Sequence, residues 1–272
     1  MPEGDTVWRA ARNLDRALAG APIISSDFRV PHLAVASLSG SSVVSVRSVG
    51  KHILMRFSNE LTLHSHLRMD GDWVLLKSDS RRKPGPSHEI RVILSTPTWT
   101  AVGVRLHDLA LVPTGKETEQ IGYLGPDLLG LNFDLDAAAA NLTADPRAIA
   151  EALLDQRNLA GIGNIYKAEV LFLCGIHPLS PAHEVADVRA LVRTARRLLL
   201  ANREHPEQST TGDLRRGHTH WVYGRAGQPC RRCGHTIQIE SHGDPLVARV
   251  TFWCPNCQSI SGPANEGLET GR

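Results

Sequence analysis

Long apolar runs are missing from these 272 residues. No stretch approaches the roughly 18 apolar residues that a membrane span needs, so no membrane segment is expected. The opening Met1-Pro2-Glu3-Gly4-Asp5 is acidic and has no apolar leader core. No secretory signal is therefore expected, and the cytoplasm is the expected compartment. Cysteine is scarce, five residues in all, which excludes a disulfide-dense secreted scaffold. Lysine is equally scarce, five residues against twenty-five arginines. Arginine suits bidentate phosphate contact, although a GC-rich genome leaves the same bias. Net charge is only +2, so global charge announces no nucleic-acid partner. Hydrophobic residues at 42% and charged residues at 21% exclude a disordered chain. The length fits two compact domains plus an accessory piece.

What charge there is lies unevenly. Between Arg189 and Arg232, ten arginines stand against Glu204, Glu207 and Asp213. Such a stretch is either a phosphate-binding face or a solvated helix face followed by a basic loop. Four of the five cysteines, Cys230, Cys233, Cys254 and Cys257, read C-x2-C, twenty residues, C-x2-C. That spacing is a strong signal for one zinc ion. Pro229, Gly234 and Pro255 supply the turns, and residues 236–240 and 247–253 read as a two-stranded hairpin. All four positions are cysteine, so none is open for a catalytic water, and the ion is structural. A hairpin this small takes its folding energy from the metal. Arg249 is the polar residue it is best placed to present. Cys174, in Leu171-Phe172-Leu173-Cys174, reads as a buried core thiol.

The rest divides by pattern. Asp5 caps a helix over residues 5–19, with Val7, Ala11, Leu14 and Leu18 on one face. Short β segments follow: Val43–Val49, His52–Phe57, Leu61–Leu67, Trp73–Leu76, Ile90–Leu94 and Trp99–Val104. Their near-regular spacing predicts an antiparallel sandwich or barrel. Weakly patterned, glycine-rich residues 116–145 read as a linker. Helices are predicted over 147–156, opened by Asp145-Pro146, then 165–174 and 186–203. The expected domains are 1–115, 146–221 and 222–262, with a disordered tail at 263–272.

Chemistry concentrates at the N-terminus. Loss of Met1 would leave Pro2 with a secondary amine. An α-amine titrates near 7.7–8.0, against about 10.4 for lysine, so an appreciable fraction is an unprotonated nucleophile at neutral pH. With a carbonyl carbon it forms a cationic iminium, an electron sink for elimination. Glu3 beside it suits a general acid or base. Met-Pro-Glu also opens many proteins with no catalytic role. Lys51, in Val49-Gly50-Lys51-His52, projects from a strand-to-strand turn, as a ligand or as an ordinary loop lysine. Gly161-Ile162-Gly163-Asn164 precedes a helix, and reads as an anion-binding nest or as a tight interhelical turn.

Taken together, Met1-Pro2-Glu3-Gly4, Gly50-Lys51, His66-Leu67-Arg68-Met69-Asp70-Gly71, Gly161-Ile162-Gly163-Asn164-Ile165-Tyr166, Val222-Tyr223-Gly224-Arg225 and the cysteine module resemble the formamidopyrimidine-DNA glycosylase/endonuclease VIII family. The resemblance covers nearly the whole chain. It implies an α+β multidomain fold: an N-terminal helix on an antiparallel β-sandwich, a helix–two-turn–helix domain and a C-terminal zinc β-hairpin. It implies a monomeric glycosylase and abasic-site lyase acting on damaged DNA. Pro2 would attack C1′, and Glu3 would protonate the sugar ring oxygen. Lys51, His66, Asn164 and Arg249 would clamp phosphates, and Met69 would fill the void left by a flipped base. Arg68, Tyr166 and Arg225 fall within matching motifs and are expected to contact DNA. The formamidopyrimidine branch has an arginine-phenylalanine wedge where this chain has Leu106-His107-Asp108-Leu109-Ala110-Leu111, and often a glutamate at Thr6. Both departures point to the endonuclease VIII branch and to oxidised pyrimidines. An oxidised-guanine glycosylase and a non-enzymatic zinc-ribbon nucleic-acid-binding protein are the alternatives.

Overall fold

The computed structural model describes residues 2–82, 84–242 and 249–259. Helix α1 (Gly4–Leu18) buries Val7, Ala11, Leu14 and Leu18 along one stripe. That stripe packs on β2 (Val43–Val49), the first strand of a four-stranded antiparallel sheet. β3 (His52–Phe57), β4 (Leu61–His66) and β8 (Asp108–Pro113) complete it in the order β2-β3-β4-β8. A second antiparallel sheet holds β1 (Ser25–Phe28), β6 (Ile90–Ser95), β7 (Trp99–Val104) and β5 (Asp72–Lys77), in the order β1-β6-β7-β5. One apolar core joins them, drawing Leu14 from the helix, Ile53 and Leu63 from one sheet, and Trp73, Leu94 and Ala101 from the other. Cutting a fully buried leucine such as Leu14 to alanine costs about 2–5 kcal/mol.

Two strands escape the sequence pattern. β1 reads Ser-Ser-Asp-Phe and buries only Phe28. β8 covers most of residues 106–111, the stretch where the formamidopyrimidine branch has its arginine-phenylalanine wedge and this chain has neither residue. It pairs with β4 along its length, and its Leu109 lies in the sandwich core. Leu109 is therefore not a cleft residue.

The segment 116–145 is more than a linker. It contains α2 (Thr118–Ile121) and α3 (Leu135–Ala144), and α3 packs on α6 (Val188–Asn202). Asp134 caps α3, accepting a hydrogen bond from Ala137 N–H at 2.9 Å. The helix is alanine-rich on every side, so it carries no periodic signal. α4 (Ile149–Leu154) starts later than expected. The Asp145 carboxylate pairs instead with Arg147 and accepts from Asn158. α5 (Asn164–Cys174) runs through the centre of this lobe, with Tyr166, Val170 and Leu171 in its core. β9 (Gln238–His242) and β10 (Arg249–Trp253) form the expected antiparallel hairpin. Ile237 and Cys254 dock it against Ala168 and Phe172 of α5. Residues 263–272, the expected tail, lie outside the described residues. No described helix is long and apolar enough to cross a membrane.

Candidate active site

The first residues of the chain sit where the two lobes meet. Gly4 N–H donates to Gly161 C=O at 2.8 Å. The fully buried Glu3 reaches across the junction. Its carboxylate accepts from the backbone N–H groups of Ile165 at 2.7 Å, Gly163 at 2.8 Å and Tyr166 at 3.3 Å. Glu3 thus caps α5 from 160 residues away, where the helix dipole favours a carboxylate. Gly163 is required for this seat, because a Cβ there would fall 2.4 Å from the Glu3 carboxyl carbon. Burial nevertheless raises the Glu3 pKa, against the opposing pull of Lys51 and the helix N–H groups.

Lys51 approaches the same carboxylate from the turn between β2 and β3. Gly50, at φ +56°, lets that turn close on the second lobe, since a Cβ would meet Ala160 at 3.0 Å. Burial lowers the Lys51 pKa; Glu3 opposes the shift and Arg249 adds to it. Glu3, Lys51 and Arg249 therefore share one electrostatic neighbourhood. Pro2 lines a cleft of about 500 Å³ together with Thr6, Asn13, Met69, Asp72 and Arg105. Met69 stands 54% exposed at its edge. Arg68, just before it, holds a left-handed backbone (φ +53°) and an ion pair with Asp108 at 2.5 Å. His107 and Arg105 brace Asp70 on the other side of the Met69 turn.

His66 flanks this turn, its Nδ1 accepting from Arg68 N–H at 2.9 Å. Burial pushes its pKa down to about 4, so at neutral pH it offers an uncharged N–H rather than a cation. Asn164 opens α5 with its side-chain oxygen held by Lys167. Arg249 is exposed at the start of β10. Charge and hydrogen-bond contacts thus link Glu3, Lys51, His66, Asn164 and Arg249, while Pro2 and Met69 line the cleft beside Glu3.

Two residues expected to contact DNA are turned inward. Tyr166 is fully buried, and its hydroxyl donates to Asp5 at 2.6 Å. Arg225 is 8% exposed and spends its guanidinium on the carbonyls of Trp221 and Pro229. Both shape the scaffold rather than face a ligand. The basic stretch is likewise largely consumed within the fold. Arg196 and Arg231 bind carbonyls, Arg189 and Arg215 pair with Asp136 and Asp213, and Arg203 and Arg232 lie over Trp8 and Phe172.

Other buried polar groups had no sequence signal beyond being polar in apolar surroundings. Glu169 accepts from the N–H groups of Trp221, Val222 and Tyr223, each at 2.8 Å, and so fixes the loop leading to the hairpin. His52 is hydrogen-bonded to His64 (2.7 Å) and to the Tyr123 hydroxyl (3.0 Å), tying the segment after α2 to the sheet. Burial holds the His52 pKa near 3, so it stays neutral.

The four cysteine sulfurs lie within 4.8 Å of one another. A tetrahedral thiolate site with Zn–S near 2.3 Å places its sulfurs about 3.8 Å apart. Cys233 and Cys254 at 3.4 Å, and Cys230 and Cys257 at 4.0 Å, bracket that value, so the donor set fits zinc.

Comparison with known proteins agrees with this layout. The formamidopyrimidine-DNA glycosylase N-terminal domain matches residues 1–109, and the formamidopyrimidine-DNA glycosylase H2TH domain matches 124–211. A zinc finger found in these glycosylases and in isoleucyl-tRNA synthetases matches 227–260. A probable endonuclease 8 2 of Streptomyces coelicolor is 52% identical over 100% of this chain and 98% of its own. The DNA-(apurinic or apyrimidinic site) lyase Nei2 of Mycolicibacterium smegmatis is 45% identical over 96% of this chain and 100% of its own. The crystal structure of the Lactococcus lactis formamidopyrimidine-DNA glycosylase, bound non-covalently to DNA containing an abasic site, superposes with a TM-score of 0.80. It is 25% identical, over 95% of this chain and all of that one. The chain belongs to the formamidopyrimidine-DNA glycosylase/endonuclease VIII family of DNA-repair glycosylases and abasic-site lyases.

Proposed function

We propose that this enzyme excises oxidised bases, pyrimidines foremost, and then cuts the strand by β,δ-elimination with Pro2 as nucleophile. One observation carries the reading: Pro2 faces an open cleft, one residue from a buried acid of raised pKa with two cations beside it. The Pro2 amine adds to C1′ of the damaged nucleotide and the base departs. Glu3, whose acid form burial favours, delivers its proton to the ring oxygen and opens the sugar. The resulting iminium makes the 2′ proton acidic. Its loss expels the 3′ phosphate, and a second elimination expels the 5′ phosphate. Lys51, Asn164 and Arg249 hold the flanking phosphates, with His66 as a neutral donor. Met69 enters the space the base leaves. Cys230, Cys233, Cys254 and Cys257 hold one zinc ion, which keeps the hairpin folded and Arg249 in place. The protein works as a monomer.

Borohydride reduction on duplex DNA with one abasic site tests this. A covalent adduct mapping to Pro2 is expected, and none from protein that retains Met1. Normal trapping with Met1 in place would move the nucleophile elsewhere, with Lys51 first in line. A panel of oxidised pyrimidines and oxidised guanine then tests the lesion class. Faster excision of guanine lesions would overturn the pyrimidine preference.

A further inference from the structure

Lys167 is 1% exposed, and the reaction sequence above gives it no task. It sits three residues after Asn164, on the same face of α5. Its Nζ donates to Asn164 Oδ1 at 2.7 Å and to the Val250 carbonyl at 3.3 Å. The first bond fixes the asparagine amide, because its oxygen is taken and the NH2 end, beside the Tyr223 hydroxyl, keeps a second proton for an outside acceptor. The second grips β10 one residue from Arg249. We infer that Lys167 is a positioning residue that joins Asn164 of α5 and Arg249 of the hairpin into one phosphate-holding unit. The inference rests on the proposal that Asn164 and Arg249 are phosphate ligands.

An ammonium has three protons, and a buried one is costly unless its charge is compensated. The charged groups facing it are Glu3, ahead of α1, and Arg249, on the hairpin. One attracts and one repels, so the ammonium is left short of negative charge. A DNA phosphate held by Asn164 and Arg249 supplies it. Burial lowers the Lys167 pKa to about 7, and Arg249 adds to that shift. A phosphate alongside pushes the value back up. Binding then draws a proton onto Lys167, and affinity declines as pH rises above about 7.

The test measures Kd for a duplex carrying one tetrahydrofuran abasic-site analogue, at fixed salt, together with single-turnover rates on an oxidised pyrimidine. Lys167→Met is expected to weaken binding about tenfold, with the loss falling on KM rather than kcat. Combining it with Asn164→Ala should cost no more than the worse single change, because both break one unit. Lys167→Arg keeps the charge. It should restore most of the affinity and remove the decline seen in the natural protein between about pH 6.5 and 8.5. Unchanged Kd in Lys167→Met, additive losses in the double variant, or identical pH profiles for the natural protein and Lys167→Arg would each overturn the inference. Should Lys167→Met not fold, the two pH profiles decide alone. Unchanged Kd in Asn164→Ala and Arg249→Ala would instead overturn the phosphate clamp itself.

Discussion

In the proposed mechanism, Glu3 serves two purposes with one carboxyl group. Its oxygens satisfy the first N–H groups of α5, which favours the ionised form, while burial favours the protonated form, and burial prevails. Glu3→Gln keeps an acceptor for the helix but has no proton to give to the sugar. Single-turnover excision should fall about 10²- to 10⁴-fold with the fold intact by circular dichroism. The natural enzyme should slow as pH rises through the raised Glu3 pKa, because the acid form is then lost, and the variant should not show that limb. Arg68 is the second residue with a clear test. The stretch that lacks the base-reading arginine and phenylalanine lies mostly in strand β8, and Arg68 is bound to Asp108 on that strand. Rates for one oxidised pyrimidine opposite A, C, G and T should therefore lie within about a hundredfold of each other. A wider spread that collapses in Arg68→Ala would identify Arg68 as a reader of the opposite base.

At the scale of elements, stability is concentrated where segments distant in sequence are tied together. Glu117, 5% exposed and just before α2, accepts from Arg47, Arg56 and Thr62 on β2, β3 and β4. The Arg56 bonds, first among these, hold its pKa down to about 2, against an ordinary 4.5. A depressed carboxyl pKa stabilises fully above the ordinary value and loses that stabilisation as pH falls toward the folded value. Glu117→Gln should thus cost about 2 kcal/mol at neutral pH, allowing for the half-exposed arginines. Urea titrations should show the gap closing between about pH 4.5 and 2. The zinc hairpin gives the complementary case. Cys254→Ser or chelation should unfold it and weaken DNA binding while the sandwich keeps its own thermal transition. An active protein free of zinc would contradict this. Elements with strong periodicity or fixed spacing, such as α1, the six patterned strands and the cysteine hairpin, are legible in the amino-acid sequence. β1 and α3 are not, because a polar edge strand and an alanine-rich helix carry neither alternation nor an apolar stripe.

Across the whole molecule, the site is legible through the motifs of its backbone turns, and less so through composition. Ten clustered arginines suggest a phosphate face, yet charge in a sequence does not reveal which cations the fold has already paired. The structure uses most of them for carbonyls, carboxylates and aromatic rings. Tyr166 and Arg225 mislead for a related reason: a matching motif marks a position without saying which way its side chain turns. With the basic stretch occupied, salt-dependent binding should depend on the few cations at the junction. Each neutralised phosphate contributes roughly −0.9 to the slope of log K against log salt. Lys51→Ala should flatten that slope by about one unit. Arg196→Ala should leave the slope unchanged while lowering the melting temperature, since its guanidinium binds the Leu128 carbonyl.

The reach of Glu3 to α5 also bears on how such an enzyme comes into being. A nascent chain exposes Pro2 and Glu3 first, but the helix that seats the acid is made some 160 residues later. Until the second lobe is synthesised and docked, the amine stands beside an unplaced, solvated carboxylate of ordinary acidity. In the proposed mechanism, a copy that lacks the second lobe would carry Pro2 without the seated acid that opens the sugar. On that reading, activity would wait on the docking of the two lobes, because only then does Glu3 reach the start of α5.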